Sequence, residues 1–300
     1  MNWFVLALMG MIFFTVAGIL DKYILSAYAL DSKAYVVCQV LAQMIFTIPI
    51  FFLLARDFIF PESAIALIAG VFTVIPAVYY VQALKIEEAS RVSAMEYFYP
   101  VLVFLGATLL LGERLAIKDC MGGLLILIGV FLASYRHQNK MDLRNLSPAM
   151  KPFVVYWICV AIYFLTLERL LVSMDEWHLY AWSCFGMMMA GLPFLASHRV
   201  RQEFIGFFGR GPFAVGALIF EEGFMFLGII FTIFACALGS AALVTSVGAL
   251  QPIMTLLLVL GLGMMKPTLV EDIEGKMEST SLIQKCFSFM IIAVGIYLLC

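Results

Sequence analysis

Residues 83–100 read ALKIEEASRVSAMEYFYP, and residues 235–252 read ACALGSAALVTSVGALQP. A shift of 152 residues aligns an alanine, a valine followed by a hydroxyl residue, and a proline in the two stretches. The matching positions are Ala89 and Ala241, Val92-Ser93 and Val244-Thr245, and Pro100 and Pro252. The Ala-Leu pair that opens the first stretch recurs two residues late in the second. The two halves of the chain therefore share a pattern.

Other features of the first half recur in order in the second half. Residues 21–26, DKYILS, are echoed by residues 168–173, ERLLVS, at a shift of 147. Pro49 and Gly129 find counterparts in Pro193 and Gly295. The sequence thus predicts one five-helix unit present twice. A unit with an odd number of spans inverts when it is repeated, as in many secondary transporters.

The composition requires a membrane as solvent. Of the 300 residues, 64% are hydrophobic and only 13% are charged, whereas a soluble domain is about 45–50% apolar and about 25% charged. No basic cluster suits nucleic acid. The 7 cysteines and 3 histidines show no metal-ligand spacing. We therefore expect no metal site, no cofactor, no nucleic-acid partner and no catalytic constellation, so the chain is not predicted to be an enzyme.

The predicted fold is an all-α polytopic membrane protein with ten transmembrane helices, since about 20 apolar residues are needed for each span. The segments run over residues 2–20, 33–54, 62–84, 89–111, 116–135, 152–173, 179–197, 212–234, 239–262 and 281–300. Residues 1–136 would form the first repeat and residues 152–300 the second, joined by a polar loop at 137–151.

Ten spans place both termini on one side of the membrane. The joints after odd-numbered spans carry 14 basic residues, and those after even-numbered spans carry 4. Because basic residues favour the cytoplasmic side, this bias places the termini outside. The predicted location is a plasma membrane or a bacterial inner membrane.

One continuous stretch carries a resemblance to a known family. Residues 79–132 contain Tyr80, an Ala-Leu pair, small residues at the start of the next helix, Pro100, a Gly-Glu-Arg turn at 112–114 and a glycine-rich last helix. This stretch resembles the EamA domain of the drug/metabolite transporter superfamily. The second half resembles it more weakly, and Met264-Met265-Lys266 replaces the Gly-Glu-Arg turn.

The resemblance implies two inverted five-helix EamA repeats around a central cavity, and transport by alternating access. It also implies that both termini lie in the cytoplasm, contrary to the distribution of basic residues. Both orientations stay open at this stage.

Three carboxyl groups deep in the spans are candidate substrate contacts. Glu96 lies roughly 10 Å into the fourth span, and Glu221 and Glu222 lie roughly 14 Å into the eighth, at 1.5 Å per residue. Ionisable groups at such depth are costly and usually face a cavity. Adjacent helical residues point about 100° apart, so one of Glu221 and Glu222 is expected to face the cavity. The alternative is a protonated carboxyl that bonds to a neighbouring helix.

Aromatic and amide side chains accompany these carboxyls. Tyr80, Tyr97 and Trp157 are predicted to wall an acidic cavity, and Gln251 is a polar contact beside Pro252. Such a cavity suits an amine through cation–π contacts. Apolar surroundings disfavour the ionised form of a carboxyl group, which makes protons candidate coupling ions.

Charged residues near span ends are candidate gates. Arg91 pairs either with Glu87 or Glu88 at the interface or with Glu96 as a gate. Glu168 and Arg169 serve either as interfacial anchors or as a gate pair. Pro100 and Pro252 are each expected to bend a helix, because proline removes a backbone hydrogen bond.

The predicted function is secondary transport of a small organic solute, such as an amine or an amino acid, with membrane lipid as the surroundings. Two alternatives remain. A lipid flippase would open its cavity sideways to the bilayer, and a non-transporting scaffold would tolerate replacement of the buried glutamates.

Overall fold

The described residues fold almost entirely into helices. The structure is a computed structural model that describes residues 2–28, 30–111, 117–134, 148, 150–265 and 279–299, and these residues contain no strand. The helices are α1 Trp3–Tyr28, α2 Ser32–Leu54, α3 Glu62–Ile86, α4 Ala89–Glu96, α5 Tyr99–Leu111, α6 Ile117–Ser134, α7 Met150–Leu170, α8 Glu176–Gly191, α9 His198–Phe208, α10 Pro212–Leu238, α11 Ala241–Gly248, α12 Gln251–Met265 and α13 Ser279–Leu299.

Eight helical segments of the described residues are long and apolar enough to cross a membrane. They are Trp3–Tyr28, Ser32–Leu54, Glu62–Ile86, Ala89–Leu109, Met150–Leu170, Glu176–Ala196, Pro212–Leu238 and Ala241–Met264. Two shorter apolar helices, Met121–Val130 and Ile283–Leu298, lie where the sequence predicts the fifth and tenth spans. The chain is thus an all-helical, multi-pass membrane protein.

The first helix is longer than the sequence predicts. The predicted span ends at residue 20, but α1 continues to Tyr28. The charges that suggested an end are satisfied within the protein: Asp21 accepts hydrogen bonds from Tyr35 and Gln39, and Lys22 donates to the carbonyl oxygens of Leu84 and Glu87. The helix therefore carries Asp21 into the interior.

Two of the candidate spans are interrupted. The helix α4 ends at Glu96 and α5 begins at Tyr99, just before Pro100. In the same way α11 ends at Gly248 and α12 begins at Gln251, just before Pro252. The prolines lie in the first turn of the second segment, where a missing backbone donor is tolerated. Each break leaves irregular backbone in the interior of the protein.

The two halves of the chain pack against each other along their length. The helix α1 packs along α10, α3 along α7 and α8, and α6 along α13. The contact between α3 and α8 is very close, because a Cβ atom on Gly70 would lie 1.9 Å from the carbonyl oxygen of Ser183, and one on Gly186 would lie 1.9 Å from that of Leu67. Small residues allow this approach, which brings polar groups from both halves to the centre.

One short helix, α9, lies in the joint between two spans, and two predicted features fall outside the described residues. The joint between the seventh and eighth predicted spans contains α9, which buries Val200 and Phe207. The Gly-Glu-Arg turn at 112–114 lies outside the described residues, as does nearly all of the predicted loop 137–151.

Candidate functional site

Two adjoining compartments lie between the two halves. The tyrosine compartment has a volume of about 240 Å³ and contains Asp21, Glu96 and Tyr156 in its wall. The glutamine compartment has a volume of about 220 Å³ and contains Gln43 and Glu222. The two share five lining residues, which are Gln39, Thr73, Ala77, Tyr163 and Met225. These shared residues place the two compartments side by side, and together they are called the cavity.

The tyrosine compartment is acidic. Tyr156 donates a hydrogen bond to Glu96 Oε1, while Glu96 Oε2 has no hydrogen-bond partner among the described residues. Asp21 is fully buried. Its Oδ1 accepts from the hydroxyl of Tyr35 at 2.6 Å and from Gln39 Nε2 at 2.9 Å, and its Oδ2 has no partner within the described chain. Each carboxyl group thus has one buried oxygen that accepts no hydrogen bond from the described residues.

Tyrosine rings form much of the remaining wall. The lining tyrosines are Tyr80, Tyr97, Tyr99, Tyr156 and Tyr163. The ring of Tyr97 lies 5.6 Å from that of Tyr99, and the ring of Tyr99 stacks on Phe164 at 5.5 Å. Among the described residues lining this compartment, none is a lysine, arginine or histidine. Carboxyl groups and aromatic faces together suit a cation.

The two helix breaks meet beside this compartment. The hydroxyl of Tyr97, in the first break, donates to Gln251 Oε1, at the second break. The ring of Tyr97 lies against Gly248, where an added Cβ atom would be 3.0 Å from the ring. Both Tyr97 and Gln251 line the compartment. The breaks therefore form part of the cavity wall.

The glutamine compartment is less charged but also contains polar acceptors. Gln43 Nε2 donates to the hydroxyl of Tyr180 at 3.0 Å, and that hydroxyl is also 2.9 Å from Thr47 Oγ1. Gln43 is fully buried, and its Oε1 has no hydrogen-bond partner of acceptable geometry in the described part of the chain. Glu222, which interacts with Glu221 of the same helix, lines the same compartment.

Two of the predicted substrate contacts lie behind the cavity wall. Glu221 is fully buried, lines neither compartment, and interacts electrostatically with Asp21 and Glu222. Trp157 also lines neither compartment. Its Nε1 donates to the carbonyl oxygen of Met95 at 2.8 Å, and its ring contacts Phe98 edge-on at 4.7 Å. Trp157 thus supports the first helix break.

Arg91 belongs to a buried ionic cluster at one end of the cavity, which comprises Lys22, Glu87, Glu88, Arg91 and Lys285. The guanidinium of Arg91 is 3.7 Å from Glu87 and 3.5 Å from Glu88. Lys285 is 2.7 Å from Glu88, and Lys22 donates to the carbonyl oxygen of Glu87 at 2.8 Å. The cluster ties α1, α3 and α4 to α13 of the other half.

Glu168 and Arg169 lie near the end of α7, away from both compartments. Arg169 is exposed, and Glu168 is half-buried near Cys236 of α10.

Sequence reasoning missed Asp21, Gln39 and Gln43 as cavity residues. The apolar run ends at Leu20, so local hydrophobicity alone places Asp21 at the end of the first span, as an interfacial anchor or a gate residue. Gln39, Gln43 and Thr47 recur every four residues in an otherwise apolar span. That spacing places polar groups on one helix face, and it could have identified Gln39 and Gln43 as cavity residues. Within the described residues, no group of three His, Cys, Asp or Glu side chains could hold a metal ion.

Comparisons with known proteins agree with this fold. Residues 1–135 match the model of the EamA-like transporter family, which lies within the drug/metabolite transporter superfamily. A crystal structure of another protein superposes with a TM-score of 0.57 at 18% identity, covering 97% of this chain and 95% of that one. It is one of 27 matching chains of solved structures. A comparison with curated protein sequences found no match.

Proposed function

Because residues 1–135 match the model of the EamA-like transporter family, we propose that the chain is a secondary transporter of a small organic cation. The observation that carries this proposal is the tyrosine compartment, where Asp21 and Glu96 each keep an unpartnered carboxyl oxygen within the described chain. Burying several like charges without a counter-ion is costly. A bound amine would balance them.

The proposed architecture is ten spans in two inverted five-helix repeats, with both termini on the same side of a plasma or bacterial inner membrane. The packing supports this arrangement. Exchanging the proposed repeats converts the contact of α1 with α10 into that of α7 with α3, and it maps the contact of α6 with α13 onto itself. Both broken spans also follow the 152-residue shift.

Alternating access requires that the ends of the cavity open in turn. The ionic cluster around Arg91 is buried and connects the two halves, so we assign it as the closed gate at one end. Glu168 and Arg169 lie toward the opposite end, where Trp3 packs over Gly239. We assign that end as the second gate, with Glu168 as a gate residue.

Protons are the proposed coupling ions. Glu221 interacts with Asp21 but does not line the cavity. Glu221 can therefore influence the protonation of Asp21 electrostatically without contacting the substrate. A cation that binds at Asp21 would change the proton occupancy of this pair.

Thermal stabilisation of purified protein by a panel of amines, amino acids, nucleobases and lipid headgroups tests the proposal. We expect an amine to raise the melting temperature of wild type and not of Glu96→Gln. The exposed Asp57→Asn variant is the control and should behave as wild type. Stabilisation by lipid headgroups alone would favour a flippase, and equal behaviour of wild type and Glu96→Gln would contradict the acidic site.

Proteoliposomes that contain a pH-sensitive dye test the coupling. Addition of the stabilising amine should shift the internal pH for wild type. Glu221→Gln should still be stabilised by the amine but should give no pH shift, because the residue lies outside the cavity wall. An unchanged pH shift in Glu221→Gln would remove Glu221 from the coupling step.

A further inference from the structure

We propose that the substrate is a linear molecule with two cationic groups, an α,ω-diamine, and that the glutamine compartment binds its second ammonium group. This inference rests on the proposed function, because it assumes that the first ammonium group binds in the tyrosine compartment. It assigns a ligand to a part of the cavity that the transport proposal leaves unused.

The glutamine compartment carries acceptors for a second cation. Gln43 is fully buried in α2, and its Oε1 has no donor of acceptable geometry within the described residues. Its Nε2 donates to the hydroxyl of Tyr180 at 3.0 Å, which leaves Oε1 on the other side of the amide group. Glu222 lines the same compartment. A buried acceptor without a donor is unfavourable, and an ammonium group supplies up to three donors.

No basic side chain among the described lining residues can balance a negative charge in this compartment. Its described lining residues include no lysine, arginine or histidine. Arg91 and Lys285, in the ionic cluster, pair with Glu87 and Glu88. When the carboxyl group of Glu222 is ionised, a cationic ligand would balance its charge in this compartment.

The residues shared by the two compartments suit a methylene chain. Both compartments are lined by Ala77 and Met225, which present apolar surface. Gln39 also lines both, and its amide nitrogen is held by Asp21 at 2.9 Å. Because Ala77 and Met225 line both compartments, an alkyl chain lying along these two side chains would have one end in the compartment of Glu96 and the other in that of Glu222. A compact ammonium ion would fill only one compartment.

Matched pairs of probes test this inference. Straight-chain diamines of increasing length are each compared with the monoamine of the same carbon number, by titrating the melting temperature of the purified wild-type protein. At the best length we expect the diamine to bind at least about tenfold more tightly, which corresponds to about 1.4 kcal/mol. Equal affinities of the diamine and the monoamine at every length would overturn the proposal.

Variants assign the two ends of the ligand. Glu222→Gln should reduce the preference for the diamine over the monoamine to less than about threefold, and a cooperative melting transition of the unliganded variant shows that it is folded. Glu96→Gln should weaken both probes. If the Glu222→Gln variant kept the wild-type preference for the diamine over the monoamine, the assignment of the second ammonium group to Glu222 would be contradicted.

The outcomes separate this inference from the function on which it rests. Binding of both amines without preference overturns the two-ended substrate and leaves the cation site intact. Absence of binding by any amine overturns both. The comparison of probes on wild type does not depend on whether a variant folds.

Discussion

The two broken spans, α4–α5 and α11–α12, occupy equivalent positions but bring different groups to the cavity. At the shift of 152 residues, Glu96 corresponds to Gly248 and Tyr97 to Ala249. The first break supplies a carboxyl group and a tyrosine ring, and the second supplies space for that ring. Two large side chains could not occupy the same place, so the proposed repeats have diverged in complementary directions.

The segments that lead into the breaks differ as well. Glu87, Glu88 and Arg91 form the ionic cluster before the first break. The corresponding residues before the second are Gly239, Ser240 and Leu243, where Gly239 packs beneath Trp3 and Ser240 caps α11. One end of the cavity is thus closed by charges and the other by apolar packing, which predicts that the two ends respond differently to substitution and to salt.

The largest expected effect on stability comes from a substitution that makes the segment before the first break resemble the segment before the second. Arg91→Leu introduces the residue found at the equivalent position 243, and it leaves Glu87 buried without the guanidinium. Breaking a buried ion pair costs about 3–5 kcal/mol, so the free energy of unfolding should fall by about 3 kcal/mol. Denaturant titration in detergent measures it. Arg201→Leu, an exposed position on α9, should change it by less than about 0.5 kcal/mol; equal effects would show that the cluster is not stabilising.

A carboxyl group moved from one break to the other should retain much of the amine affinity. Glu96→Gln alone should weaken binding at least about tenfold, or about 1.4 kcal/mol. Adding Gln251→Glu restores one carboxyl group to the same compartment, because Gln251 also lines it and accepts from Tyr97. Titration of the melting temperature with the best amine should then give an affinity within about threefold of wild type. No recovery in the double variant would mean that position 96 itself, rather than the compartment's charge, decides binding.

Alanine substitutions at two glycines of the second broken span should affect the free energy of unfolding differently. Gly248→Ala places a Cβ atom 3.0 Å from the ring of Tyr97, whereas at Gly261 nothing lies within 4 Å. Overpacking costs about 1–3 kcal/mol, so Gly248→Ala should lower the free energy of unfolding by about 1 kcal/mol. Gly261→Ala should leave it unchanged or raise it by up to about 1 kcal/mol. Thermal or denaturant unfolding of both variants checks this, and a matching sign would contradict the close fit at Gly248.

The smallest expected effect is at the prolines. Pro100→Ala and Pro252→Ala should each change the free energy of unfolding by less than about 1 kcal/mol, since proline acts here mainly by restricting the unfolded chain. The breaks should persist because Trp157 and Tyr97 hold them through side-chain contacts. A loss much greater at one proline than at the other would show that the two breaks are maintained differently.

Much of the fold could be predicted because each span must satisfy its own backbone hydrogen bonds in lipid. Predicted segments such as 33–54 and 62–84 lie close to α2 Ser32–Leu54 and α3 Glu62–Ile86. The end of α1 could not be predicted in this way. A charged residue ends an apolar run whether it faces water or a buried partner, and Tyr35 and Gln39, which satisfy Asp21, come from another helix.

The residues of the candidate site likewise include some that the sequence could predict and some that it could not. Glu96, Tyr80, Tyr97, Gln251 and Glu222 line the cavity, and depth in a span was enough to select them. Depth in the span could not show that Glu222 rather than Glu221 lines the cavity, because adjacent residues lie at nearly the same depth. It could not place Trp157 either, since its side chain bonds to the backbone of another helix.

The sequence by itself determined the membrane environment, the resemblance of the first half to the EamA-like transporter family and the approximate spans, because these follow from composition, local hydrophobicity and short motifs. Only the tertiary structure decided which polar groups share a cavity. Packing of α1, α2, α4 and α10 joins Asp21, Gln43, Glu96 and Glu222 around adjoining compartments. Such long-range contacts depend on how helices from the two halves rotate and approach, which no single span encodes.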